Sequence, residues 1–224
     1  MKNTILTFCC ILLQQSLFAE NKDWLIDGSP YKTEVNLSSD KKQIELTNGL
    51  LRRSFSLTPN GATIALDNLM TGQNELRAVR PEAINGKEYP VGGLEGQPVH
   101  NFLTKDFLSG MQLCDSAFVL AGYTVSETKE RFPWKPNEAW ISNRYPWPAP
   151  GKRITFTYRA PRKIVDECKG LTIRIVYELY DGAPILSKWI EIENNGQKAV
   201  TLDSFKSEVL ALVETAPKVH YGEP

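Results

Sequence analysis

Leu171-Thr172-Ile173-Arg174-Ile175-Val176-Tyr177-Glu178-Leu179-Tyr180 decides the fold. Leu171, Ile173, Ile175, Tyr177 and Leu179 fall on one face of an extended chain, with Arg174 and Glu178 on the other. A period of two held over ten residues is the signature of a strand with one buried face. Asp181-Gly182 then supplies a turn, and Ile185 to Glu193 reads as the returning strand, carrying Trp189, Ile190 and Ile192. Trp189, inside this strand, is expected in the core. Asn194-Asn195-Gly196 supplies another turn before Val200 and Leu202, which predicts a third strand of an antiparallel meander.

The same grammar recurs upstream. Ile44 and Leu46 precede Asn48-Gly49; Leu51, Phe55 and Leu57 follow; Pro59-Asn60-Gly61 turns the chain toward Ile64 and Leu66. A hairpin is predicted around Asn85-Gly86, from Glu82 to Val91, and further strands over Ala117 to Ser126 and Arg153 to Tyr158. No amphipathic helix longer than two turns is predicted. Roughly ten short strands separated by turn signals predict an all-β fold, an antiparallel β-sandwich or barrel. The crossover helices that a parallel sheet needs are missing. The regular pattern breaks at 131–151, where Pro133, Pro136, Pro146, Pro148 and Pro150 prevent strand pairing and accompany Trp134, Trp140, Tyr145 and Trp147.

Composition narrows the function. The 224 residues carry 26 Lys plus Arg against 26 Asp plus Glu, so the basic footprint of a nucleic-acid binder is absent. Residues 1–19 read as a signal peptide: Lys2 forms a short positive region, Ile5 to Leu17 is largely apolar, and Leu17-Phe18-Ala19 fits a cleavage site, leaving a mature chain, residues 20–224, that begins at Glu20. A secreted product, periplasmic or extracellular, with no membrane anchor after cleavage, is therefore expected. Cys114 and Cys168 survive cleavage. A bridge between them would close a loop of about 55 residues and contribute about 4 kcal/mol; two buried thiols fit as well. His100 and His220 have no Cys or His partner at zinc spacing, so neither a metal nor another cofactor is expected.

Catalytic signatures are equally sparse. Gly92-Gly93-Leu94-Glu95-Gly96 lacks the spacing and context of a phosphate loop, and no serine sits in a nucleophile elbow. A carboxylate pair could hydrolyse a glycosidic bond, but sequence spacing nominates none. The aromatic loop is more informative. Rings presented on a proline-stiffened segment stack on the apolar faces of sugars, which makes Trp134, Trp140, Tyr145 and Trp147 carbohydrate-binding candidates. The competing reading is that these rings plug the end of the sandwich.

Tyr177 to Pro184 and Lys188 to Asn195, followed by Val200-Thr201-Leu202, resemble the N-terminal domain of alpha-galactosidase-like proteins of glycoside hydrolase family 36. Asn48-Gly49-Leu50-Leu51-Arg52-Arg53 and Leu66-Asp67-Asn68-Leu69 are similar to the opening of such domains. The resemblance implies a galactose mutarotase-like supersandwich, normally placed before a catalytic (β/α)8 barrel whose aspartates lie in Lys-Trp-Asp and Ser-Asp-Trp motifs. Neither motif occurs in this chain, so no catalytic residue is carried over. A sandwich incomplete at its C-terminus is expected, a non-catalytic support for a barrel that also contacts carbohydrate. An active carbohydrate enzyme, glycosidase or mutarotase, and a purely structural interaction module are the alternatives.

Overall fold

The computed structural model describes residues 23–78, 89–97, 103–135, 137, 146–164, 168–208 and 210–212. Among these the chain is nearly all β, built as two main antiparallel sheets. The first sheet is a meander of β1 (Glu34–Leu37), β2 (Gln43–Thr47), β3 (Leu51–Ser56), β4 (Ala62–Asn68) and β5 (Gln73–Asn74). After β6 (Leu76–Ala78) and a short helix α1 (Lys105–Gly110), the second sheet forms from β7 (Val119–Glu127), β8 (Gly151–Arg159), β9 (Leu171–Tyr180) and β10 (Leu186–Asn194), in the order β10-β9-β8-β7. A two-residue β11 (Ala211–Leu212) pairs with β6.

Register turns the period of two into a core. Ile154, Phe156 and Tyr158 on β8 stand opposite Tyr177, Ile175 and Ile173 on β9, which in turn face Lys188, Ile190 and Ile192 on β10. From the first sheet Ile44, Leu46 and Phe55 close onto them. The Phe55 ring centroid lies 4.8 Å from those of both Phe156 and Tyr177, so one ring from β3 locks two strands of the other sheet. Tilted ring pairs of this kind add about 0.5–1.5 kcal/mol each beyond the area they bury. A smaller cluster of Ala62, Leu94 and Met111 lies beside α1, whose first turn is capped by Thr104 accepting from the Phe107 N–H.

Turn residues stitch the layers together. Asn48, in the β2–β3 turn, is 1% exposed; its amide donates to the carbonyls of Tyr180 and Ala183 at the β9–β10 turn, and its oxygen accepts from the Leu50 and Leu51 N–H groups. Asn60, in the β3–β4 turn, is fully buried, donates to the Phe118 carbonyl and accepts from the Gly61 and Leu120 N–H groups. The segment before β1 completes the join. The Thr33 N–H donates to Asp181 at 2.9 Å and the Gly182 N–H to the Tyr31 carbonyl at 2.7 Å. A Cβ on Gly28 would meet the Gly182 carbonyl oxygen at 2.5 Å, so this approach needs glycine.

One predicted strand is missing, and of the two readings of the cysteines one holds. Val200 and Leu202 form no strand: the Asn195 N–H bonds to the Gly170 carbonyl and the Asn194 side chain to the Lys198 carbonyl, turning the chain away from the β10 edge. Of the predicted hairpin, the described residues include only Tyr89 to Val91, where Val91 makes an isolated bridge to Phe118. Cys114 and Cys168 are both free thiols; Cys114 is buried with its Sγ 3.2 Å from Ser116 Oγ, while Cys168 packs at the edge of the main core. The expected leader at 1–19 and both histidines lie outside the described residues. Among the described residues no helix is long and apolar enough to cross a membrane.

Asn48→Ala or Asn60→Ala would leave several buried polar groups unpartnered and is expected to cost about 2–4 kcal/mol in urea unfolding. Asn194, exposed at the end of β10, provides the comparison, with Asn194→Ala costing less than about 1 kcal/mol. Asp181 supplies a pH signature. Burial pushes its carboxyl up, but hydrogen bonds from Thr33 and the Lys32 ammonium outweigh this and hold it below the usual range. Its stabilisation is therefore complete above about pH 4, the unfolded value, and fades as pH falls through the lower folded value. The stability gap between the native chain and Asp181→Asn, measured by urea unfolding, should narrow below about pH 4.

Candidate functional site

The outer face of the second sheet carries a charge that ought to be in water. On β9, Glu178 points away from the core stripe, yet its side chain is only 2% exposed. It lies in one cross-strand row with Arg153 of β8 and Ser187 of β10. Arg153 donates from Nε to Glu178 Oε1 at 2.7 Å and places Nη2 2.6 Å from the same oxygen. The Tyr180 hydroxyl donates to Oε2 at 2.9 Å and lies 3.1 Å from Ser187 Oγ. Burial raises the Tyr180 phenol above its ordinary value and the Glu178 carboxylate adds to that, partly offset by Ser187 and Arg131.

What covers Glu178 is the segment after β7. Thr128 closes its base: the backbone N–H donates to the Gly151 carbonyl and Oγ1 to the Ala149 carbonyl at 2.6 Å. The Lys129 N–H reaches Glu178 Oε1 at 3.4 Å, and Arg153 Nη2 donates back to the Lys129 carbonyl. Arg131 then sits 4.2 Å from the centroid of the Trp189 ring, with Arg153 at 5.1 Å from the same ring. Each such cation-ring contact contributes about 0.5–2 kcal/mol. Trp189 is therefore not the core residue its strand suggested. Ile190 and Ile192 fix the parity of β10, their neighbour Trp189 turns to the outer face beside Val176, and its Nε1 donates to Glu191.

Beyond Arg131 three rings meet. Trp147 lies 5.2 Å from Phe132 and 5.2 Å from Trp134, tilted by 44° and 53°, and its Nε1 donates to the Phe132 carbonyl. Phe132 is 49% exposed, the two tryptophans are half-buried, and none of the three belongs to the core clusters. Phe132, Trp134 and Trp147 thus form a faceted aromatic ridge, next in sequence to Arg131 and the Glu178 network that join the chain to the sheet. Of the predicted binding residues, Trp134 and Trp147 come together here; Trp140 and Tyr145 lie outside the described residues. Phe132, Arg131 and Glu178 are added by the structure. Glu178 left no trace in the alternation, because a polar residue at every second position reads as solvent-facing.

Among the described residues no group of three or more His, Cys, Asp or Glu could hold a metal ion. No family model, curated protein or solved structure matches this chain.

Arg153→Met would strand a buried carboxylate and is expected to cost about 3–5 kcal/mol in denaturant unfolding. Adding Glu178→Gln to that variant should recover a substantial part of the loss, because the charge that needed a partner is gone.

Proposed function

We propose that this chain is a secreted, non-catalytic β-sandwich module of an alpha-galactosidase-like glycoside hydrolase, and that it holds carbohydrate against the ridge formed by Phe132, Trp134 and Trp147. The family assignment is supported by the hairpin resemblance over Tyr177 to Asn195 and by the all-β meander on which those residues lie. Binding is supported by one observation above the others: three rings in mutual contact remain half-exposed or exposed on a loop anchored by buried charge. A sugar presents C–H faces to such rings and hydroxyls to polar groups at their margin. Arg131 and Glu191, next to the ridge at Trp189, supply both a donor and an acceptor.

This reading gives the buried carboxylates structural partners. Asp67 is paired with Arg52 at 2.7 Å and Glu178 with Arg153. A catalytic barrel is the partner that this reading assigns to the module, and the exposed apolar side chains of Ile192, Leu202 and Phe205, on β10 and the segment after it, suit such a contact.

Retention on an immobilised galacto-oligosaccharide series tests the binding. Trp134→Ala and Trp147→Ala are each expected to weaken it about tenfold, in line with the loss of one ring contact, with the urea midpoint nearly unchanged. Unaltered retention by folded variants would sink the stacking idea. The purified chain is expected to leave 4-nitrophenyl α-galactoside unhydrolysed; turnover would overthrow the non-catalytic assignment.

A further inference from the structure

Arg53 is the most unusual residue of the first sheet. Its strand parity, shared with Leu51 and Phe55, drives it between the layers, where its side chain is 3% exposed. The guanidinium lies 4.6 Å from the Tyr177 ring centroid and donates from Nε and Nη2 to Thr63 Oγ1. From the opposing sheet Lys188, on the inward face of β10, brings a second cation, with its side chain 15% exposed. Both converge on Glu208: Arg53 grips its two oxygens at 3.0 and 3.1 Å, and Lys188 Nζ lies 3.0 Å from one of them. Burial pushes the Glu208 carboxyl up, but the two cations more than compensate and hold it below its ordinary range.

The triad lies at a half-open cleft of about 430 Å³, walled by Leu51, Leu66, Pro184 and Leu186, with Asn68 and Glu75 on its lining. Apolar walls with a few convergent polar groups are the kind of lining that small-molecule sites use. The two cations and the anion also differ in how they are held. Arg53 and Lys188 stand on strands, whereas Glu208 comes from an irregular segment whose residues 201–207 are all exposed. Segments with so few buried contacts open locally at low free energy.

We propose that this cavity is a binding site for a small hydroxylated carboxylate of sugar-acid type, and that Glu208 is an internal carboxylate occupying its anion subsite. The ligand carboxylate takes the fork of Arg53 and the Lys188 ammonium, a pairing suited to the planar guanidinium. Its hydroxyls meet Asn68 and Glu75, and its C–H faces meet the leucines. The site is independent of the aromatic ridge: Lys188 and Trp189 are neighbours on β10 that point to opposite faces of the sheet.

Glucuronate is the probe and glucose its neutral control, titrated by calorimetry or NMR against the whole chain. Glu208→Gln keeps a hydrogen-bonding side chain but removes the competing charge, and is expected to bind glucuronate at least tenfold more tightly than the native chain. Lys188→Gln should weaken binding about tenfold, and Trp147→Ala should leave it unchanged. Glucuronate binding no better than glucose in both the native chain and Glu208→Gln would overturn the proposal. So would binding that follows Trp147 rather than Lys188, which would move the sugar acid to the ridge. If Glu208→Gln does not fold, the comparison of the native chain with Lys188→Gln decides by the same criteria.

Discussion

Two stacked sheets made of apolar stripes can slide over one another, because burial is non-directional and many registers hide nearly the same area. Buried hydrogen bonds remove that freedom. Asn48 and Asn60 lie in successive turns of the first sheet and reach across to carbonyls of the second sheet or its approach, each using both its donor and its acceptor. Any slide strands several polar groups in a water-free interface, at about 1–3 kcal/mol for each. The Phe55 contact with Phe156 and Tyr177 can then form in one place only, and the remaining geometry follows from it.

The strand stripes were legible because period two and burial are the same fact seen twice. Leu171 to Tyr180 became β9 with the bounds its alternation sets, and the turns at Asn48-Gly49, Asp181-Gly182 and Asn194-Asn195-Gly196 fall where their chemistry places them. What the pattern could not carry was the second use of a residue. Asn48 and Asn60 read as turn formers, yet their side chains span between sheets, which depends on partners more than 50 residues away. The missing third strand after β10 fails for a related reason: apolar residues at Val200 and Leu202 mark strand potential, while hydrogen bonds at Asn194 and Asn195 decide the direction of the chain.

Of the candidate site, the aromatic ridge was visible and its foundation was not. Tryptophans among prolines advertise a presented surface, but nothing local says that Arg131 would reach Trp189, or that Glu178 would be covered. The cost of burying a carboxylate explains why the loop stays where it is. Once Arg153, Tyr180 and the Lys129 N–H have replaced water around Glu178, lifting the segment from Thr128 to Arg131 means rehydrating a network already satisfied, which holds that segment against the sheet beneath it.

One strand therefore serves two surfaces. On β10 the parity fixed by Ile190 and Ile192 sends Lys188 inward to the cavity and Trp189 outward to the loop. A shift of one residue in register would exchange them, placing an ammonium against Arg153 and an indole beside Arg53. Arg53 and Glu178 oppose that exchange from the two sides. Each pairs directly with its own partner, Glu208 or Arg153, and β10 adds to both groups in its present register: Lys188 is a second cation on Glu208, and Ser187 bonds the Tyr180 hydroxyl that donates to Glu178. Charges buried at some expense in desolvation thus give this strand a specificity of placement that its apolar residues alone would leave degenerate.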